Sequence, residues 1–271
     1  MQWYYCNKKM KKLFLLIFVC VNTYAFAQNI PVLNKVLELG MPEGLGTRGA
    51  SVAYHPIQKK YYAAFAGNPV FPLAVFDEKG KRLSADSLKT NFDVRSLWYD
   101  PQLQTILGNG YDETGWFKYK LNPKGIPVGG SVLFEGKNQP FENSVGAYDT
   151  KKKQVYFIDD LFDDSCLIVY NAQTGKQIKN APLKVFDNDL FLNGDINYNL
   201  NIVFTGQPKA EIGLFDYSSR EIHLYDINTG KLSKKLSLPE TSPKEEAFNF
   251  AYANGIFWLF DIENRKWIGY K

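Results

Sequence analysis

Histidine, cysteine and long apolar runs are what this chain has least of. It carries 2 His and 3 Cys in 271 residues. A zinc site, a Ser-His-Asp triad or a Cys-His pair would each need a His in a cleft, so those chemistries have almost no material to work with. The longest apolar run, Leu13 to Val21, is shorter than the about 20 residues needed to cross a bilayer. There is no Gly-x-Ser-x-Gly elbow, no P-loop and no dinucleotide fingerprint. An excess of either charge is missing too. Lys8, Lys9, Lys11 and Lys12 account for the formal +4, and the rest of the chain is balanced. That removes the electrostatic argument for nucleic acid or an anionic membrane as partner.

What is present begins with an address. The basic stretch Asn7–Lys12 precedes the apolar run, and Ala25-Phe26-Ala27 is a small-x-small cleavage site before Gln28. Residues 1–27 therefore read as a signal peptide and 28–271 as one exported domain, periplasmic or secreted. Acylation at Cys20 is the competing reading, but Val19 stands where a small residue is expected. Cleavage after Ala27 leaves Cys166 as the one thiol, so no internal disulfide staples the exported chain. Its setting, Ser165-Cys166-Leu167-Ile168-Val169-Tyr170, is that of a buried small hydrophobe in a strand.

Helical periodicity is almost absent beyond the leader. Short runs of Val, Ile, Tyr, Phe and Trp alternate with Gly, Asn, Asp and Pro, the pattern of an all-β chain. Five of these runs end in a tyrosine: Tyr54, Tyr99, Tyr148, Tyr198 and Tyr252, about 50 residues apart. A second strand follows each, at Tyr61–Ala63, Thr105–Leu107, Val155–Phe157, Ile202–Phe204 and Ile256–Trp258. The residue after the tyrosine is often Asp or Asn, or His55, and caps the turn. Third and fourth strands meet at Gly-containing hairpins, around Gly80, Gly125, Gly175 and Gly230, where Gly supplies the positive φ.

Four strands per repeat is a β-propeller blade. The fifth unit has only three strands before Lys271, and residues 30–39 resemble the outer strand Lys231–Leu238. The expectation is a five-bladed propeller closed by the N-terminal strand pairing with 266–271. Six blades is the alternative, because Ala210–Arg220 falls outside the four-strand count. The Tyr-Asp-x-x-Thr-Gly-Lys hairpin at 225–231, weaker at 170–176, resembles those of secreted propellers of the TolB-like and YVTN-like type, and of quinoprotein-type propellers. Gln177-Ile178 and Leu232-Ser233 follow Thr-Gly-Lys where quinoprotein repeats place a Trp, so a quinone cofactor is not expected. No Trp-Asp dipeptide closes a blade, and no sialidase-type box is present.

Carboxylates and arginines carry the remaining chemistry. Six residues before each repeat tyrosine stand Arg48, Asp93, Glu142, Leu192 and Glu246, with Arg95, Asn143, Asn193, Asp195 and Asn249 nearby. In a propeller these strand-entry loops open onto one mouth of the central channel. Arg48, Asp93, Arg95, Glu142, Asn143, Asn193, Asp195, Glu246 and Asn249 are thus the candidate ligand-binding set. Arg48 and Arg95 are the anchors for an anionic group. Trp116, Phe71, Phe162 and the acids of 159–164 are expected on the rim. Asp159-Asp160-Leu161-Phe162-Asp163-Asp164 and Asp187-Asn188-Asp189 could recruit calcium, but neither has the spacing of an EF-hand loop. No other cofactor is called for. The reading is a non-enzymatic binding module for a protein, peptide or carbohydrate. The rival is a glycosidase- or lactonase-like hydrolase using channel carboxylates.

Overall fold

The computed structural model describes residues 30–159, 166–183 and 198–271. The leader, Phe162, Asp160, Asp163, Asp164, Asp187, Asp189, Asn193 and Asp195 lie outside the described residues. The described strands form five antiparallel sheets, arranged as the five blades of a propeller. Blade one holds β2 (Gly49–His55), β3 (Lys60–Phe65) and β4 (Leu73–Asp77). Blade two holds β5 (Val94–Asp100), β6 (Thr105–Gly110), β7 (Trp116–Leu121) and β8 (Pro127–Phe134). Blade three holds β9 (Ala147–Asp149), β10 (Gln154–Ile158), β11 (Cys166–Asn171) and β12 (Gln177–Pro182). Blade four holds β13 (Tyr198–Phe204), β14 (Ile212–Asp216), β15 (Glu221–Tyr225) and β16 (Leu232–Ser237). Blade five holds β17 (Phe250–Ala253), β18 (Ile256–Asp261), β19 (Lys266–Tyr270) and, from the other end of the chain, β1 (Lys35–Gly40).

The closure expected from the sequence is present. β1 pairs antiparallel with β19, with Leu39 opposite Trp267 and Lys35 opposite Tyr270. The chain just before β1 also bridges blade four, where Leu33 N donates to Ser237 O at 2.8 Å. The six-bladed alternative falls, because residues 212–216 are the second strand of blade four and belong to no extra blade.

That strand corrects the repeat in blade four. Ile202–Phe204 was expected as a second strand, yet it is the end of the innermost strand. Ile202, Val203 and Phe204 line the central channel beside Leu97-Trp98-Tyr99 and Ala251-Tyr252-Ala253. The repeat aromatic of this blade is Phe204, not Tyr198, and the capping role falls to Thr205, whose Oγ1 accepts from Gln207 N at 3.0 Å. Blade one departs in another way. It has three full strands, and residues 78–93 make only isolated bridges, Phe76 to Arg82 and Pro72 to Lys89.

The core is divided among the five seams between blades, with one apolar cluster at each. Inner strands are covered on both faces by neighbouring blades, which is why they lack alternation and use small residues. Gly49, Ala50, Ser51 and Ala53 of β2 are all buried. Toward the outside, where blades diverge, large rings fill the gap. Trp258 and Trp267 are fully buried at the seam of blades five and one, and Trp116 and Phe157 at that of two and three. Burying each such side chain contributes roughly 1.5–3 kcal/mol. The repeat aromatics wedge into these seams. Tyr99 packs on His55 at 4.5 Å, Phe204 on Tyr156 at 5.7 Å, and the Tyr148 hydroxyl donates to Asp100 Oδ2 at 3.1 Å. Among the described residues no helix is long and apolar enough to cross a membrane.

Candidate functional site: two mouths of one channel

The strand-entry loops do converge, on Arg95. This guanidinium is buried in the second position of β5. Its Nη1 donates to Asp93 Oδ1 and, at 3.1 Å, to Val94 O, while Nε donates to Asn143 Oδ1 at 3.0 Å. The Tyr111 ring lies 4.7 Å from its central carbon, and Phe248 of the blade-five entry lies 5.4 Å away. Asp93 Oδ1 also accepts from Gly67 N at 2.9 Å, and Tyr111 donates to Glu142 Oε2 at 2.9 Å. That bond to Glu142 raises the Tyr111 hydroxyl above its ordinary value. Entry loops of blades two, three and five are thereby tied around one cation.

Of the candidate set, Asp93, Arg95, Glu142 and Asn143 are brought together. Arg48, Glu142, Asn143 and Glu246 are exposed around this mouth. Asn249 is buried and serves the backbone: its Oδ1 accepts from Gly49 N at 2.9 Å and its Nδ2 donates to Ala247 O at 2.6 Å. Sequence reading missed Tyr111 and Phe248. Phe248 has φ 57 and Asn249 φ 65. A left-handed phenylalanine costs about 1–2 kcal/mol, and no local sequence signal announces it. Trp116 is not on the rim. It opens β7, is 1% exposed, and its Nε1 donates to Asn138 O at 3.0 Å. Phe71 packs on the seam of blades five and one.

Both histidines are structural. His55 Nδ1 accepts from Gln58 N at 3.3 Å, capping its turn, and Nε2 donates to Gln104 O of the next blade at 3.0 Å. His223 Nε2 donates to Glu221 Oε2 at 2.9 Å, and its Nδ1 accepts from the Tyr198 hydroxyl at 2.6 Å. Burial pushes both imidazoles below their ordinary value. Burial alone would raise Glu221, but the bonds from His223 and Lys235 bring it below the usual carboxylate range. Cys166 is half-buried rather than buried, with Sγ 3.6 Å from Asp159 Oδ2. Among the described residues no group of three or more His, Cys, Asp or Glu is placed to hold a metal ion; most of the acidic run 159–164 lies outside them.

Below the Arg95 cluster runs a cavity of about 250 Å³. Its wall descends from Ser51, Ser96 and Val145, through Val52, Leu97 and Ala251, to Pro56, Thr150 and Asn254 in the turns at the opposite mouth. No carboxylate is among its described lining residues. The lower rim carries Tyr54, Tyr99, Tyr148, Phe204 and Tyr252, all half-buried. In a four-stranded antiparallel blade the first and third connections share one end. Here Gly125, in the outer hairpin of blade two, lies against Gln58 and Tyr62 of blade one, with the Tyr62 hydroxyl donating to Gly125 O at 2.7 Å. The lower end is rich in lysine, whereas the upper end carries Asp93, Asp112, Glu113, Glu142, Glu245 and Glu246 together with Arg48, Arg95 and Lys137.

No family model matches the chain, and no curated protein does. Solved structures do resemble it. Raptor from Chaetomium thermophilum is 11% identical with a TM-score of 0.48; the match covers 89% of this chain and 29% of that one. Regucalcin from Agrobacterium tumefaciens, a calcium-binding protein, is 12% identical with a TM-score of 0.48, covering 85% and 87%. The β-propeller domain of Cps50 (Swd1) from Myceliophteria thermophila is 12% identical with a TM-score of 0.44, covering 84% of each chain. At such identities the likeness concerns the fold alone.

Proposed function

We propose that this protein is an exported β-propeller that binds a partner and turns over no substrate. One observation carries the reading: a closed ring surrounds a channel with no carboxylate among its described lining residues, and the described acid–base groups nearest to it are engaged in holding the fold. Asp93 neutralises Arg95, Glu142 holds Tyr111, and both histidines are engaged through both ring nitrogens. Loops on such a ring can vary at little cost to the fold. Arg48, Glu142, Asn143 and Glu246 are the part of the upper mouth open to a ligand, and Arg95 positions the loops that carry them. The TolB-like or YVTN-like kinship suggested by the hairpins is part of the same proposal, as is export after cleavage at Ala27.

Incubation of the purified protein with aryl glycosides and lactones tests the reading. No turnover is expected. Turnover that disappears in Asp93→Asn or Glu142→Gln would replace it with a hydrolase. For export, the mature chain recovered from outside the cytoplasm should begin at Gln28; a chain retaining residues 1–27 there would contradict the leader.

A further inference from the structure

We propose that the lower mouth of the channel is a docking site for an acidic peptide segment, one apolar side chain of which enters the cavity. The inference rests on the reading of the protein as a binding module and names the partner's chemistry.

Three features meet at that mouth. The first is room. The cavity of about 250 Å³ reaches the turns at Pro56, Thr150 and Asn254. Its wall carries the side chains of Val52, Leu97, Ala147, Val203 and Ala251 beside the hydroxyls of Ser51 and Ser96, so an aliphatic or small aromatic side chain fits between them.

The second is exposed apolar surface on the connecting turns themselves. Ile57 is 62% exposed and Leu103 48%. They occupy the first turns of adjacent blades one and two. Neither contributes to a seam cluster, whereas the neighbouring Tyr54 and Tyr99 do.

The third is charge. The first turns of blades one, three and four carry Lys59, Lys151, Lys152, Lys153 and Lys209, and Lys60 opens β3. Among the described residues only Lys59 reaches a carboxylate, Glu78 at 3.9 Å. Of the acids at this end, Glu78 accepts from the rim hydroxyl of Tyr54 at 2.8 Å, and Asp100, Asp149 and Glu211 accept from turn backbone. Asp100 Oδ1 accepts from Gln102 N and Leu103 N, both at 2.8 Å. Asp149 Oδ1 accepts from Lys151 N at 2.9 Å and Lys152 N at 3.0 Å. Glu211 accepts from Lys209 N at 3.0 Å and Ile227 N at 3.2 Å. Lys60 Nζ donates to Gln58 O at 3.1 Å and Lys153 Nζ to Gln102 Oε1 at 3.4 Å, while Lys59, Lys151, Lys152 and Lys209 are exposed at the same end. Charge complementarity selects an acidic chain, and the opening selects a chain with an apolar residue among its carboxylates.

The test titrates a short fluorescent peptide, a Leu-Leu pair flanked by glutamates, into the purified protein by anisotropy. Binding should weaken as salt rises and drop about tenfold or more in Lys152→Glu/Lys209→Glu. It should drop likewise in Ile57→Ser/Leu103→Ser and for a peptide with Ser-Ser in place of Leu-Leu. These side chains are exposed, so melting temperatures should stay those of the parent, and the peptide change involves no protein variant. Arg48→Glu at the upper mouth should leave binding unchanged. Absence of binding, equal binding by the lysine-reversed variant, equal binding of the Ser-Ser peptide, or loss of binding in Arg48→Glu would each overturn the proposal. None of these outcomes produces turnover, so failure here stays distinct from failure of the binding-module reading.

Discussion

Gly49 and Asn249 are hydrogen-bonded to each other twice: Asn249 N donates to Gly49 O at 3.0 Å, and Gly49 N donates to Asn249 Oδ1 at 2.9 Å. Two residues 200 positions apart thus close the inner seam between the last blade and the first. The motif repeats around the channel. Gly146 N donates to Ser96 Oγ at 3.2 Å, and Asn201 Nδ2 donates to Phe250 O at 2.9 Å. In each case a polar side chain at the top of one inner strand holds the backbone of the next blade.

Asn249→Ala should therefore be costly. It leaves Gly49 N unpaired in a buried seam and puts an alanine at φ 65. The sum is about 2–4 kcal/mol of stability, measurable by urea unfolding. Asn249→Gly relieves the backbone but still loses the bond, and should cost less than the alanine change. Equal stability of all three proteins would contradict the seam argument.

Gly49 itself tolerates no side chain. An added Cβ would meet Trp267 at 2.5 Å and Phe260 at 2.7 Å, both fully buried. Gly49→Ala should cost about 1–3 kcal/mol by overpacking. An unchanged denaturation midpoint would show that the ring seam can yield there.

The N-terminal strand should matter to the whole ring. Leu39 is fully buried opposite Trp267, and Leu39→Ala should cost about 2–5 kcal/mol. Removing residues 28–40 should abolish cooperative unfolding or lower the melting temperature sharply. A truncated chain melting like the parent would refute the closure.

Acid should weaken the fold before the carboxylates titrate. His55 and His223 are held neutral by burial, with folded values below that of an exposed imidazole, about 6.5. A group depressed in the folded state binds its proton more readily when unfolded. Its stabilising contribution is complete above about pH 6.5 and is lost as pH falls through the folded value. Thermal melts from pH 8 down should show this decline, and His223→Gln should flatten it. A parent melting temperature that stays level between about pH 7 and 5 would exclude the effect.

Arg95 should be a structural cation first. Its side chain is 6% exposed and that of Asp93 18%. Arg95→Met strands Asp93, and the cost should be about 2–4 kcal/mol, less than for a fully buried pair. The double change Arg95→Met/Asp93→Asn should recover part of the loss. If it does not, the arginine acts mainly through its stacking on Tyr111 and Phe248.

The five-fold repeat, the closing strand and the hairpin glycines were legible because each is a local pattern. A strand bounded by an Asx-capped turn announces itself within ten residues, and the closing strand resembles the outer strand it replaces. Blade four was misread where that locality failed. Its first turn is widened to Thr205–Glu211, so Phe204 stands where the other blades have tyrosine. The nearby Tyr198 offered a decoy at almost the right spacing. The candidate site was partly legible in the same way. Arg48, Asp93, Glu142 and Glu246, six before their tyrosines, lie at the strand entries of one mouth, and Asp93, Arg95, Glu142 and Asn143 meet there. The packing of Phe248 on Arg95 was hidden, since it joins blades five and two across the ring.

Composition and local periodicity alone settle that this chain is all-β, built of blades, and closed by its own N-terminal strand. Turn chemistry and strand alternation act over a few residues and survive in any context. Only the tertiary structure decides which polar residues are scaffold and which face a partner. Asn249 and Arg48 look alike as strand-entry residues, yet one is buried in a seam and the other exposed. The opposition of the two mouths is likewise a property of the ring. In the described blades alternate connections fall on the same end, so residues far apart along the chain share a mouth.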